Sequence, residues 1–134
     1  MRTLIATLFL ATVACGSDSP SAPTNTTMAG IWSLVTVDGA QLPYTLVPGS
    51  AKTELFSRVL TLAADGTFTG ITSTRLTAGG QFTTDFDTYA GTYAISGRTV
   101  TFQSADGYNG AGTVTDGDTI TALESNHLYV YQKS

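Results

Sequence analysis

Along most of residues 30–133 apolar and polar residues alternate with a period of two, and a turn dipeptide interrupts the alternation about every ten residues. Side chains in an extended chain point to opposite faces in turn, so this period belongs to a half-buried strand and not to a helix. The turn dipeptides are Asp65-Gly66, Gly79-Gly80, Ser96-Gly97, Asp106-Gly107 and Asp116-Gly117. Asp and Gly tolerate the positive φ angles that tight hairpins need. Strands joined this way pair antiparallel with their sequence neighbours. An open sheet of eight or nine such strands would leave two edges unpaired, and closure removes them. The expected fold is therefore all-β, an antiparallel up-and-down β-barrel of eight or nine strands.

The alternation also assigns faces. Trp32, Leu34, Phe56, Leu60, Leu62, Phe68, Phe82, Phe86, Tyr93, Ile95, Val100, Phe102, Val114, Ile120, Leu128 and Val130 are expected to point inward. Asp85 and Asp87 are assigned outward, and Arg58 is the odd member of the face that Phe56, Leu60 and Leu62 share in 54–63. Residues 38–53 break the pattern. This long connection holds Pro43 and Pro48 but also Leu42, Tyr44, Leu46 and Val47, which a purely solvated loop would not need. It is expected to fold over the open end of the barrel, opposite Trp32. There it would be either a lid above a ligand, with Tyr44 nearest, or a plug that completes the core.

The order "GIWSL" (30–34), "DG-x-x-LP" (38–43), a strand ending "DGTF" (65–68) and "GTYAISGRTVTF" (91–102) resembles the lipocalin-like, calycin-type domains of small bacterial lipoproteins. The resemblance covers nearly all of 29–134. It implies that Gly30 and Trp32 are the G-x-W of the first strand, with the Trp packed across the closed end and the first long loop over the mouth. Lipocalins cover that Trp with an Arg near the end of the last strand; this chain has Lys133 there.

The N-terminus adds a second resemblance. After Met1 and Arg2, residues 3–14 are uncharged and mostly apolar, too short a run to span a bilayer but of signal-peptide length. "TVAC" (12–15) resembles a bacterial lipobox, with Thr12 where Leu is commonest. It implies removal of 1–14 and acylation of Cys15, the only cysteine. Two or three acyl chains, at ~0.8 kcal/mol per buried CH₂, anchor a protein firmly. Residues 15–28 read as the acylated cysteine and a flexible tether, and 29–134 as the barrel domain. Gly16 leans, by resemblance, towards the outer membrane.

Loss of Arg2 with the leader leaves five basic residues against ten acidic ones. That excludes a basic footprint for nucleic acid and any polybasic help in membrane binding. Chemistry is sparse. His127 is the only histidine and has no cysteine to share a zinc site with. Asp85-x-Asp87 and Asp116-x-Asp118 are spaced like calcium ligands but lack the rest of such a loop. Tyr44 and Tyr108 fall in loops and are the candidate ligand contacts, each with an apolar body and a polar tip.

No catalytic residue, metal or cofactor is expected. The expectation is a monomeric, lipid-anchored envelope binding module for a small apolar or amphipathic ligand or an envelope protein. The alternative is a structural or protease-inhibitor-like envelope protein with a filled barrel that acts through its surface.

Overall fold

The computed structural model describes residues 22–134. It contains one helical turn, α1 (Asn25–Met28), and ten strands. The strands are β1 (Gly30–Val37), β2 (Ala40–Gln41), β3 (Tyr44–Val47), β4 (Ala51–Leu62), β5 (Thr67–Ala78), β6 (Gln81–Ser96), β7 (Thr99–Ser104), β8 (Asn109–Thr115), β9 (Thr119–Glu124) and β10 (His127–Lys133). Each strand from β4 to β10 pairs antiparallel with the next, and β1 pairs with both β10 and β4. Eight strands thus close into an up-and-down barrel, as the hairpin spacing predicts.

The closure is complete at one end only. Gly30–Ser33 pair with Val59–Leu62. Further along, β1 turns to β2 (Thr36 opposite Gln41), and β3 adds to β4 (Tyr44 opposite Leu55). Bulges at Leu34/Thr36, Thr45/Val47 and Leu55/Ser57 bend the three strands where β1 and β4 part. Residues 38–53 are therefore not an irregular lid. They widen the barrel wall with two short strands. Leu42, Tyr44 and Leu46 pack against the core, and Val47 is exposed.

The closed end is apolar. Met28, Trp32, Leu60, Leu62, Phe68, Val100, Phe102, Val114 and Ile120 are buried there and along the barrel axis. Residues 24–28, assigned to the tether, belong to this end. Thr24 and Thr27 form a capping box, and Met28 is fully buried. Residues 1–14 and Cys15 lie outside the described residues.

Strand β6 corrects the expected faces. It runs unbroken for 16 residues, in one register with β5 throughout the shared span. Inward Tyr93 therefore fixes the odd-numbered residues 81–91 on the same face. Phe82 and Phe86 point outward, 68% and 69% exposed, and Asp85 and Asp87 share the face of Tyr89. A one-residue change of phase moves every side chain to the other face. In β10 the buried residues are Tyr129 and Tyr131, whereas Leu128 is 42% exposed and Val130 lies on the opposite face from them. Phe56 sits at the β4 bulge, where Arg75 covers its ring at 4.3 Å. Met28, Val37, Leu55, Tyr129 and Tyr131 join the core instead.

Gly91 explains where β6 leaves the barrel. A Cβ at Gly91 would stand 1.9 Å from the carbonyl oxygen of Gln103 on β7. The strands touch there, and Gly91–Ser104 is the last β6–β7 pair. Beyond it, residues 81–90 pair only with β5 among the described residues. This half of β6, with the facing halves of β5 and β4 and with β3, forms a wing beside the mouth.

Candidate functional site

Arg58 reaches into the barrel from β4, on the face shared by Leu60 and Leu62. Its Nη1 donates to Glu124 Oε2 at 3.1 Å and to the Tyr131 hydroxyl at 3.3 Å, and its Nε donates to Thr72 Oγ1 at 3.2 Å. The guanidinium lies 4.9 Å from the Tyr129 ring and 5.8 Å from that of Tyr108. Tyr108 donates its hydroxyl to Glu124 Oε1 at 2.8 Å and stacks on Tyr89 at 4.7 Å between ring centres. The Tyr89 and Thr72 hydroxyls are 3.3 Å apart. Gly70 leaves the room: a Cβ there would lie 2.1 Å from the Tyr89 ring. Phe68 and Phe102 pack beneath Tyr108.

The charges are neither sealed nor free, with the Arg58 and Glu124 side chains 15% and 17% exposed. Burial works against the Arg58 charge, but Tyr131 and Glu124 beside it hold the guanidinium protonated. Burial pushes the Tyr108, Tyr89 and Tyr129 phenols up, and Tyr131 up to about 12. At neutral pH the site is a set of uncharged phenols around one cation and one carboxylate. An open depression of about 340 Å³ lies on the outer face of the wall behind this cluster, lined by Thr69, Ile71, Thr88 and Ala90 with Gly70, Tyr89 and Asp106.

A second group sits at the rim. Asp38, at a left-handed φ of +51°, follows β1. Its Oδ2 lies 2.7 Å from His127 Nδ1 and accepts from the Tyr44 hydroxyl at 2.7 Å, and its Oδ1 accepts from the Leu128 amide at 2.8 Å. His127, then the Leu128 amide and Tyr44, lower the Asp38 carboxyl to about 2.

Tyr44 and Tyr108 therefore lie in the same half of the barrel but in separate clusters, with Tyr129 under Arg58 between them. Gly30 and Trp32 lie at the other end. The Trp32 indole donates to the Met28 carbonyl at 2.8 Å. Lys133 Nζ stands 5.9 Å from the Trp32 ring and donates to the Thr27 carbonyl at 2.7 Å. A Cβ at Gly30, whose φ is +141°, would meet Lys133 Cε at 2.7 Å. Gly30 thus clears the path by which Lys133 covers the Trp, the place where lipocalins put an Arg. A first-strand Trp floors a closed meander of eight strands. The fold is lipocalin-like.

A solved lipocalin-like protein from Bacteroides uniformis is similar at 16% identity and a TM-score of 0.47, over 81% of this chain and 99% of that one. No protein-family model and no curated protein matches. Strand order, closure and the Trp floor carry the lipocalin-like assignment.

Asp116 and Asp118 flank the β8–β9 turn, and Asp85 and Asp87 lie on the wing. Among the described residues no three metal-ligating side chains come together. Sequence reasoning missed Glu124, Tyr89, Tyr129 and Tyr131 as site residues. The available signal was Arg58 itself, since a cation on an inward face requires a partner.

Proposed function

We propose that this chain is a lipid-anchored protein of the bacterial cell envelope that binds a small amphipathic molecule in the open half of its barrel. The Arg58–Glu124–tyrosine cluster carries this reading. A buried ion pair is a poor source of stability compared with apolar packing of the same volume. A network of this kind above a well-packed apolar floor is better explained by recognition. The ligand's apolar part would lie against Tyr89 and Tyr108, and its polar group would exchange with the Arg58–Glu124 pair. Tyr44 would stand at the rim. No reaction is proposed.

The anchor would be Cys15, with the outer membrane favoured by Gly16. The chain enters the barrel at the closed end through Thr24–Met28. The tether would thus hold the floor towards the bilayer and turn the mouth away from it.

The test is native mass spectrometry of protein purified from its own membrane. Wild type should carry a small molecule that is absent from the Arg58→Met/Glu124→Gln double variant. Wild type at the bare mass of the acylated chain would overturn the ligand. Loss of fatty-acid labelling in Cys15→Ala checks the anchor separately. The exposed Phe82 and Phe86 favour a second reading, a filled barrel acting through its surface, for which both proteins would be bare.

A further inference from the structure

The free half of β6 is a long edge strand with little of the usual protection. Natural sheet edges are blunted by Lys, Pro, bulges, covering loops or inward-pointing charges, and of these the edge carries only the last, Asp85 and Asp87. Residues 81–90, "QFTTDFDTYA", hold no Lys and no Pro, pair with β5 without a bulge, and have no partner on the other side among the described residues. Phe82 and Phe86 stand on the outer face and Asp85 and Asp87 on the inner face. An unpaired backbone edge of this length is matched by another extended strand.

We propose that this edge pairs with the same edge of a second copy of the chain, antiparallel and centred on Thr84. A two-fold axis perpendicular to the sheet sets residues whose numbers have a fixed sum opposite each other. Centred on Thr84, Phe82 lies opposite Phe86 of the second copy, twice over, and makes an aromatic cross-strand pair each time. Asp85 then meets Thr83, and Asp87 meets Gln81, so each carboxylate faces a hydrogen-bonding neighbour. The nearby registers are worse. Centring on Asp85 sets that carboxylate against its own copy. Centring on Phe86 sets Asp85 against Asp87 twice, and like charges directly opposite destabilise a sheet. Centring on Thr83 leaves Phe86 opposite Gly80. The sequence of the edge is complementary to itself in one register, which favours a second copy over a foreign strand. The wings would join into one continuous sheet of eight strands across the axis.

Cysteine crosslinking of the full chain in its own membrane tests the register. Thr84→Cys places two thiols across the axis, within the Cα separation a disulfide spans. Thr88→Cys places them ~26 Å apart along the strands. Mild oxidation should give a reducible dimer of Thr84→Cys and none of Thr88→Cys. The Phe82→Ser/Phe86→Ser variant, altered only at exposed positions, should cut the Thr84→Cys dimer at least tenfold while its circular dichroism stays that of wild type. Equal crosslinking at 84 and 88, no dimer at 84, or an adduct of Thr84→Cys to another protein would each overturn the proposal.

Discussion

The two ends of the barrel are built from the same eight strands but differ in chemistry. At the closed end Trp32, Met28, Leu62 and Phe68 are buried, and a few polar groups tie α1 and the end of β4 down: Lys133 to Thr27, the Trp32 indole to Met28, and Tyr93 to the Asn25 and Ala63 carbonyls. At the mouth the strands part, and the space between them holds Arg58, Glu124 and four tyrosines, with Asp38 and His127 on the rim. Apolar burial is non-directional and stabilises wherever it is placed. A polar network stabilises only while every member is satisfied. The lesson is a division of labour: stability is concentrated at the floor, and specificity is available at the mouth.

The largest expected effect tests the floor. Trp32→Ala should lower stability by ~3–5 kcal/mol, as large aromatic truncations in cores do. Chemical denaturation measures it, and a change below about 1 kcal/mol would break the contrast between the ends. At the mouth, Arg58→Met alone strands the Glu124 carboxylate and should lower stability by about 2 kcal/mol, the scale of a hydrogen bond to a charged group. Adding Glu124→Gln should restore most of the loss, because a neutral pair carries no unpaired charge. If the double variant is as unstable as the single one, the mouth is structural after all.

Two pH effects are smaller. Tyr131 holds its proton to about 12 in the folded chain against an ordinary 10. The native state then binds the proton more tightly than the unfolded one, so stability falls as pH rises from 10 to 12. Spectrophotometric titration should show that Tyr131, like Tyr108, whose phenol burial raises further, ionises only with unfolding. The Asp38 shift has the opposite sign. Its carboxyl is lowered from 3.8 to about 2, so its contribution is present above 3.8 and is lost as pH falls through 2. Hydrogen exchange of the Leu128 amide should quicken over that window while the Trp32 indole stays protected. Asp38→Asn should remove the pH dependence.

The floor was legible in the sequence and the mouth was not. Gly30, Trp32 and the Asp-Gly turns are local signals whose meaning does not depend on what lies across the barrel. The faces of β6 were misread because 81–89 and 91–96 look like two strands, each with plausible alternation, and nothing in Ala90-Gly91 shows that the phase runs through. Gly91 is there for contact with Gln103, not for a turn. In β10 both Leu128/Val130 and Tyr129/Tyr131 could fill a core. The tyrosines face inward because Arg58 is there, donating to the Tyr131 hydroxyl and lying over the Tyr129 ring, a fact held by another strand. Residues 38–53 were read as irregular because two prolines conceal strands of two and four residues.

The junction of α1 with β1 has a mechanical consequence. Any pull on the chain from its N-terminal side reaches the barrel through Met28, whose carbonyl is held by the Trp32 indole, and then along β1. β1 is flanked by β4 on one side and β10 on the other at this end. A force along its axis therefore loads both ladders in shear, and their hydrogen bonds must fail together instead of one at a time. The strand that receives the load is the one gripped on both sides, so the domain resists traction best along the line on which a tether would apply it.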